Sequence, residues 1–294
     1  MTTAASPSTP RTPGRDPYTG RTAIVTGGAS GIGRALGAEL VARGATVVLA
    51  DIDHSAAKIA ADEISAGAGG RATAVELDVR DAAAFAELVE QVATDNIRLD
   101  YLFNNAGIAV GGDTKDLTLG HWDRVIDVNL RGVVHGIVAT YPRMVRQGSG
   151  HIVNTASLAG IFPAPSLVPY AATKHAVVGL STSLRTEAAR YGVRVTALCP
   201  GFVDTPLLDR VNVDLPPTPG RRFGRDMLRH MPGRLYNVEA LARDALDGVA
   251  RNRALVVAPS SARAVWRAYR LIPTTVLAVA TITARRLLDD LHGN

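Results

Sequence analysis

The sequence predicts an α/β fold, a doubly wound parallel sheet with helices on both faces. Three observations carry this. Short β-prone apolar runs alternate with amphipathic helical stretches along most of the chain. A glycine-rich turn joins the first run to the first helix. The polar clusters fall at or just after the carboxyl ends of the runs, or open the next helix, and open α/β sheets bind ligands at those ends.

The elements follow in order. Residues 1–19, rich in Ser, Thr, Pro and Gly, lack the apolar core of a secretory signal and read as a disordered leader. Thr22 to Thr26 is the first strand. Glycines at 27, 28, 31 and 33 come next, then a helix carrying Leu36, Leu40 and Val41 that stops at Gly44. Thr46 to Ala50 is a second strand, with Asp51 at its end. Helices are expected over Ser55–Ala66, Asp81–Thr94, Leu119–Gln147, Tyr170–Tyr191 and Val238–Arg251. Strands are expected over Ala72–Leu77, Leu99–Phe103, His151–Thr155, Arg194–Leu198 and Leu255–Val257. A parallel sheet needs right-handed crossovers, which wind it on both faces. No repeat of 20–50 residues and no apolar run of 18 or more appears.

The glycine turn has the chemistry of an anion cradle. In Gly27-Gly28-Ala29-Ser30-Gly31-Ile32-Gly33 the glycines permit a tight turn and a close approach of backbone N–H groups to a pyrophosphate. The spacing is G-x-x-x-G-x-G, not the commoner G-x-G-x-x-G. Asp51 can accept hydrogen bonds from both hydroxyls of an adenosine ribose and would repel a 2′-phosphate. Positions 29, 30 and 52 hold Ala, Ser and Ile, so no cation is placed to receive that phosphate. This favours NAD over NADP. A helix cap is the other reading of Asp51, although Asp53 or Ser55 could serve there instead.

Tyr170 and Lys174 are four residues apart, on one face of a helix. An ammonium beside a phenol favours the phenolate and lowers its pKa, giving a general acid or base. Of 32 basic residues only Lys58, Lys115 and Lys174 are lysine, so the spacing is a poor candidate for accident.

Together, Thr26 to Gly33, Asn104-Asn105-Ala106-Gly107, Asn129, Ser157, Tyr170-x-x-x-Lys174 and Pro200-Gly201 resemble the short-chain dehydrogenase/reductase family in order and spacing, over about residues 20–260. The resemblance implies a Rossmann-type sheet, a nicotinamide cofactor and hydride transfer to or from a hydroxyl or ketone. It implies that Tyr170 moves the substrate proton, that Ser157 holds the reacting oxygen, and that Lys174 also grips the nicotinamide ribose. Asn129 would anchor a water linking Lys174 to solvent. Asn105, Ala106 and Gly107 would line the cofactor cleft, with Asn104 beside them. Asp78 and Val79 would meet the adenine, and Pro200, Gly201, Val203 and Thr205 the nicotinamide side. The family usually forms homodimers or homotetramers.

The resemblance also implies that residues 207–235 form a lid, with Arg221, Arg222, Arg225, Arg229, His230 and Arg234 either solvated or receiving an anionic handle. Ile161, Phe162, Pro163, Pro165 and Val168 suggest an apolar pocket, hence a hydrophobic alcohol or ketone. Residues 261–294 form a basic amphipathic extension, with Arg263, Arg267 and Arg270 at helical spacing beside Trp266 and Tyr269. It fits a helix lying on an anionic membrane surface, and equally one packed on a second subunit or over the cleft.

Composition limits the alternatives. One cysteine excludes a disulfide framework and a multi-cysteine zinc site, and no metal is expected. A net charge of +5, with neither zinc-finger spacing nor an RNA-binding aromatic strand, does not support nucleic-acid binding. The expected location is the cytoplasm, with membrane contact through the extension as the open alternative. Two functional readings stand beside the NAD-dependent enzyme: an NADP-dependent ketone reductase, and a non-catalytic dinucleotide sensor or scaffold.

Overall fold

The computed structural model describes residues 16–67, 70–96, 98–216, 218 and 235–292. Its centre is a seven-stranded, all-parallel sheet in the order β3-β2-β1-β4-β5-β6-β7. The strands are β1 (Thr22–Thr26), β2 (Thr46–Asp51), β3 (Arg71–Glu76), β4 (Tyr101–Asn104), β5 (Gly150–Thr155), β6 (Val193–Pro200) and β7 (Leu255–Ala258). All five residues of β1 are buried, as expected of a strand covered on both faces.

Helices α1 (Gly31–Ala42), α2 (His54–Ala66) and α7 (Val238–Ala250) cover one face. Leu36, Leu40, Ala60, Ala61, Leu241 and Leu246 pack there against Val25, Leu49 and Phe103. Helices α3 (Ala82–Asn96), α5 (Gly132–Gln147) and α6 (Val168–Ala188) cover the other, where Phe85, Leu88, Val89, Met144 and Ala188 meet Ile24, Leu102 and Ile152. Helix α4 (Leu119–Ile126) runs into α5 through a single π-helical stretch, Asp127–Arg131. The expected long helix over 119–147 is therefore continuous but not uniform. Its apolar period continues through the wider turn, so sequence periodicity does not reveal it.

The sheet order reverses direction between β1 and β4. Loops on the two sides of such a switch point diverge and leave a crevice at the carboxyl ends of the strands. Thr26, Asn104 and Thr155 end β1, β4 and β5 at that edge.

The last residues of the expected leader, from Asp16 on, are part of the described structure. Asp16–Gly20 is a turn, and Tyr18 within it is wholly buried. Its hydroxyl donates to the Leu246 carbonyl at 2.6 Å, and its ring lies 5.1 Å from that of Tyr101. A lone aromatic in a Ser/Pro-rich stretch carries no periodic signal, so sequence patterning passes over it. The rest of the expected leader lies outside the described residues.

Beyond β7 the extension forms two helices, α8 (Ser260–Leu271) and α9 (Pro273–His292). Arg263 differs from its partners in the expected basic stripe: its guanidinium donates to the Val257 carbonyl and fastens α8 to the sheet. No described helix is long and apolar enough to cross a membrane.

Candidate active site

The glycine turn leaves β1 and enters α1 with little room to spare. A Cβ on Gly33 would stand 2.0 Å from the Gly27 carbonyl oxygen and 2.7 Å from Asn105 Nδ2. Gly27 and Gly31 have φ of +65° and +51°, which side-chain-bearing residues rarely adopt. Ser30 is the N-cap of α1 in extended conformation, but its side chain makes no capping hydrogen bond, and no acid lies in the first turn. The helix therefore presents Ser30, Gly31 and Ile32 at an end that favours an anion.

Asp51, at the tip of β2, reaches across to this turn. Its Oδ2 accepts from the Ala29 N–H at 2.9 Å and its Oδ1 from the Asp53 N–H at 3.1 Å. It does not cap α2, since Asp53 does so by accepting from Ala56 N–H at 2.9 Å. Asp78 lies in an ion pair with Arg80, whose hydrogen bonds hold the carboxyl below the usual range. Val79 is buried, and the start of α5 packs directly on it.

The Asn104–Gly107 segment is anchored by its neighbours. Thr26 Oγ1 accepts from both Asn105 N–H and Ala106 N–H at 3.0 Å. The Asn105 amide donates to the Thr26 carbonyl and accepts from the Thr155 hydroxyl. Asn104 Nδ2 donates to Asn154, whose amide donates to Ser181, forming a buried polar chain beneath the site. Thr26 and Thr155 were not assigned these bracing roles from sequence. Threonine at a strand end is too common to signal them.

The π-helical stretch holds Asn129, which is fully buried. Its Oδ1 accepts from the Ile108 N–H at 2.8 Å and its Nδ2 donates to the Ile108 carbonyl at 3.0 Å. Gly107 lies just above: a Cβ there would be 3.2 Å from Asn129 Oδ1 and 3.6 Å from Lys174 Nζ. The structure thus brings Gly107, Asn129 and Lys174 together.

Lys174 is buried, with Nζ donating to the Thr155 carbonyl at 2.8 Å and lying 5.6 Å from the centre of the Tyr170 ring. Burial presses its pKa down to about 8. Ser157 follows β5, and its Oγ accepts from the Ala159 N–H at 3.1 Å. The expected lowering of the phenol is not what this arrangement produces. Burial raises the Tyr170 pKa, and the Ser157 hydroxyl opposes that rise only in part. Loss of solvent around the phenolate is the larger effect, and it acts against the charged form.

Around Tyr170 the walls are apolar. Ala109, Leu167 and Val211 form a cluster joined by Ala164, Leu207, Leu208 and Leu235. Several of these come from the segment after Thr205, beyond the residues expected to line the pocket. Of the expected set, Ile161 packs toward α8, Phe162 meets Tyr269 edge-on at 5.5 Å, and Val168 and Pro165 face solvent. Farther along the segment after Thr205, Asn212 both donates to and accepts from the Gly111 backbone. Arg221, Arg222, Arg225, Arg229 and Arg234, with His230, which were expected in a lid, lie outside the described residues. Pro200 closes β6, Gly201 N–H donates to the Ala258 carbonyl at 2.8 Å, and Val203 bridges to Tyr236. Thr205 faces Gly31 closely enough that a Cβ on the glycine would touch it at 3.3 Å. The cleft is therefore bounded by the glycine turn on one side and this segment on the other.

Known proteins resemble this chain in sequence and fold. The model of the short chain dehydrogenase family matches residues 21–215. Oxidoreductase UcpA of Escherichia coli K12 is 40% identical over 194 residues, 66% of this chain and 73% of its own. Levodione reductase of Leifsonia aquatica is 36% identical over 240 residues, 80% of this chain and 86% of its own. A short-chain dehydrogenase/reductase from Burkholderia phymatum, solved with NAD, superposes with a TM-score of 0.77 at 31% identity, covering 87% of this chain and 94% of that one. One from Sphingobium yanoikuyae, solved with NADPH, gives 0.72 at 27% identity, covering 88% and 95%. With the switch-point crevice, the glycine turn and the family match in agreement, the chain belongs to the short-chain dehydrogenases/reductases, oxidoreductases built on an NAD(P)-binding Rossmann fold.

Proposed function

We propose that the protein is an NAD(H)-dependent oxidoreductase acting on a hydroxyl or ketone of a hydrophobic substrate, with Tyr170, Lys174, Ser157 and Asn129 as its proton-transfer system. The observation that carries this reading is the stacking of Asn129, Gly107 and Lys174 beneath a phenol walled by aliphatic side chains.

The cradle fits a dinucleotide. The uncapped start of α1 and the glycines that leave no room for a Cβ suit a pyrophosphate. Asp51 keeps a lone pair on each oxygen for ribose hydroxyls after its two backbone contacts. Its negative charge supports NAD over NADP. Asp78 and Val79 would border the adenine, and Val203 and Thr205 the nicotinamide. When bound, the nicotinamide supplies the hydride acceptor or donor.

The chain's own residues handle the proton. In reduction the Tyr170 hydroxyl donates its proton to the substrate oxygen while Ser157 holds that oxygen by a hydrogen bond. Lys174 stabilises the phenolate left behind, and Asn129 fixes the loop above Lys174 through Ile108. Oxidation reverses the transfer. Because burial raises the Tyr170 pKa, the neutral phenol predominates near pH 7. Reduction is therefore favoured at neutral pH and oxidation on the alkaline side.

The test is a panel of hydrophobic secondary alcohols and ketones, assayed with NAD(H) and NADP(H) in parallel. Tyr170→Phe is expected to lower kcat by about 10²- to 10⁴-fold, the usual contribution of a positioned acid or base. Unchanged turnover in that variant overturns the mechanism, and faster turnover with NADP overturns the cofactor assignment.

A further inference from the structure

We infer that the carboxyl-terminal helix pair docks on an anionic lipid surface, and that it does so beside the mouth of the substrate cleft. From Leu271 to Ala284 the chain carries no charged residue. Leu271, Ile272, Leu277, Val279 and Ile282 are 81, 52, 41, 59 and 54% exposed. Helix α9 rests its Val276, Ala280 and Ala284 side inward and leaves the remainder of this stretch uncovered. The exposed apolar positions are not one stripe. Two positions along a helix turn the direction by about 200°, so Leu277 and Val279 point to nearly opposite sides. A partner helix covers a stripe about 100° wide, whereas the headgroup and acyl boundary of a lipid surface can take up the whole outward side of such a segment.

Charge is distributed to match. Arg267 and Arg270 precede the uncharged stretch and Arg285 follows it, all three exposed. Among the residues whose side chains are described, none of the three enters an ion pair. Arg270 stacks on the Trp266 ring at 5.4 Å, an amphipathic pair suited to a headgroup layer. The uncharged part of α9, Pro273 to Ala284, is about twelve residues and extends about 18 Å, short of the roughly 30 Å hydrocarbon core, so the pair lies on the bilayer and does not cross it.

Its position gives the docking a consequence. Tyr269 of α8 meets Phe162 edge-on, and Trp266 packs against the same apolar cluster, around Val257 and Ala262, as Leu158 and Ile161. Leu158, Ile161 and Phe162 belong to the loop between Ser157 and Tyr170. A lipid surface held by α8 and α9 adjoins that loop, which makes an alcohol or ketone dissolved in the bilayer the matching substrate class. This last step rests on the proposed chemistry, while the docking does not.

Flotation of the full chain with vesicles separates the two. The protein is expected to float with phosphatidylglycerol–phosphatidylcholine vesicles, less so at high salt, and to stay in the soluble fraction with phosphatidylcholine alone. Leu277→Glu combined with Ile282→Glu should abolish flotation without lowering the melting temperature, because both side chains are exposed. Turnover of a water-soluble alcohol should be unchanged in that variant, while turnover of a long-chain alcohol carried in vesicles falls several-fold. Tyr170→Phe should still float, so a failure of the chemistry leaves the docking result intact. A full chain that ignores anionic vesicles overturns the inference, as does a double variant that floats like the parent. If the double variant instead breaks an oligomer seen by light scattering and vesicles recruit neither form, the face is a contact between copies and the inference is overturned.

Discussion

At the scale of single residues, burial decides what the site's side chains do. Tyr170 and Lys174 were legible as a pair from their spacing and the rarity of lysine, but their titration was not. That depends on how much solvent the surrounding chain removes, and the removal comes from residues far away in sequence such as Val211 and Leu208. Lys174 titrates near 8 when folded against an ordinary value of 10.5. The folded state then binds fewer protons than the unfolded chain between these values, so stability rises as pH increases from about 8 to 10.5. The cost of keeping the buried ammonium below pH 8 is on the order of 3 kcal/mol. Lys174→Met should therefore remove this alkaline gain, as read by urea unfolding at pH 7.5 and 10, while abolishing activity.

His151 behaves similarly on the acid side. It is buried against Thr196 and its pKa is pressed down to about 3. Thr196 gives its own proton to the Arg253 carbonyl, so the imidazole Nε2 is the donor in their shared bond. Native protein resists protonation here and the unfolded chain does not, so stability falls as pH drops from about 6.5 toward 3. A His151→Gln variant should show a shallower acid-unfolding curve by circular dichroism over that window.

At the scale of elements, the turn and helix boundaries were the most readable features. Glycine spacing, helix stops and apolar runs act locally, and β1, α1, β2 and α7 fall within a residue or two of expectation. The π-helical stretch around Asn129 was not readable. Its wider turn is held by packing and by the Asn129–Ile108 contacts, not by a residue type at the break. The apolar wall after Thr205 was missed for the same reason: Leu207, Leu208 and Val211 become a wall only when the loop at Ala109 comes to meet them. The glycine turn gives a direct prediction. Gly33→Ala places a methyl within 2.0 Å of the Gly27 carbonyl, an approach that only backbone movement relieves. Overpacking of this kind costs about 1–3 kcal/mol or more. Lower thermal stability and at least tenfold weaker dinucleotide binding by calorimetry are the expected outcomes.

At the scale of the whole molecule, the parallel, doubly wound sheet and the binding end of its strands were legible from alternation and crossover geometry, whereas the strand order, and with it the switch point between β1 and β4, came only from the fold. The amino-terminal edge was not legible either. Tyr18 joins the turn before β1 to α7, sits on Tyr101, and extends an aromatic patch that continues to His151. Tyr18→Ala should cost about 3–5 kcal/mol, the range for deleting a large buried side chain, with KM for substrate and cofactor unchanged. Equilibrium unfolding and steady-state kinetics on the same sample would check both. This clasp gathers the amino ends of the central strands, whereas the cofactor cleft and the α8–α9 pair gather at their carboxyl ends. The molecule consequently has a handling end and a working end. A fusion partner, affinity tag or surface tether joined ahead of residue 16 would hold the enzyme by the side facing away from its cleft. The same attachment after α9 would crowd both the loop beside Tyr170 and the face through which the protein meets its surroundings.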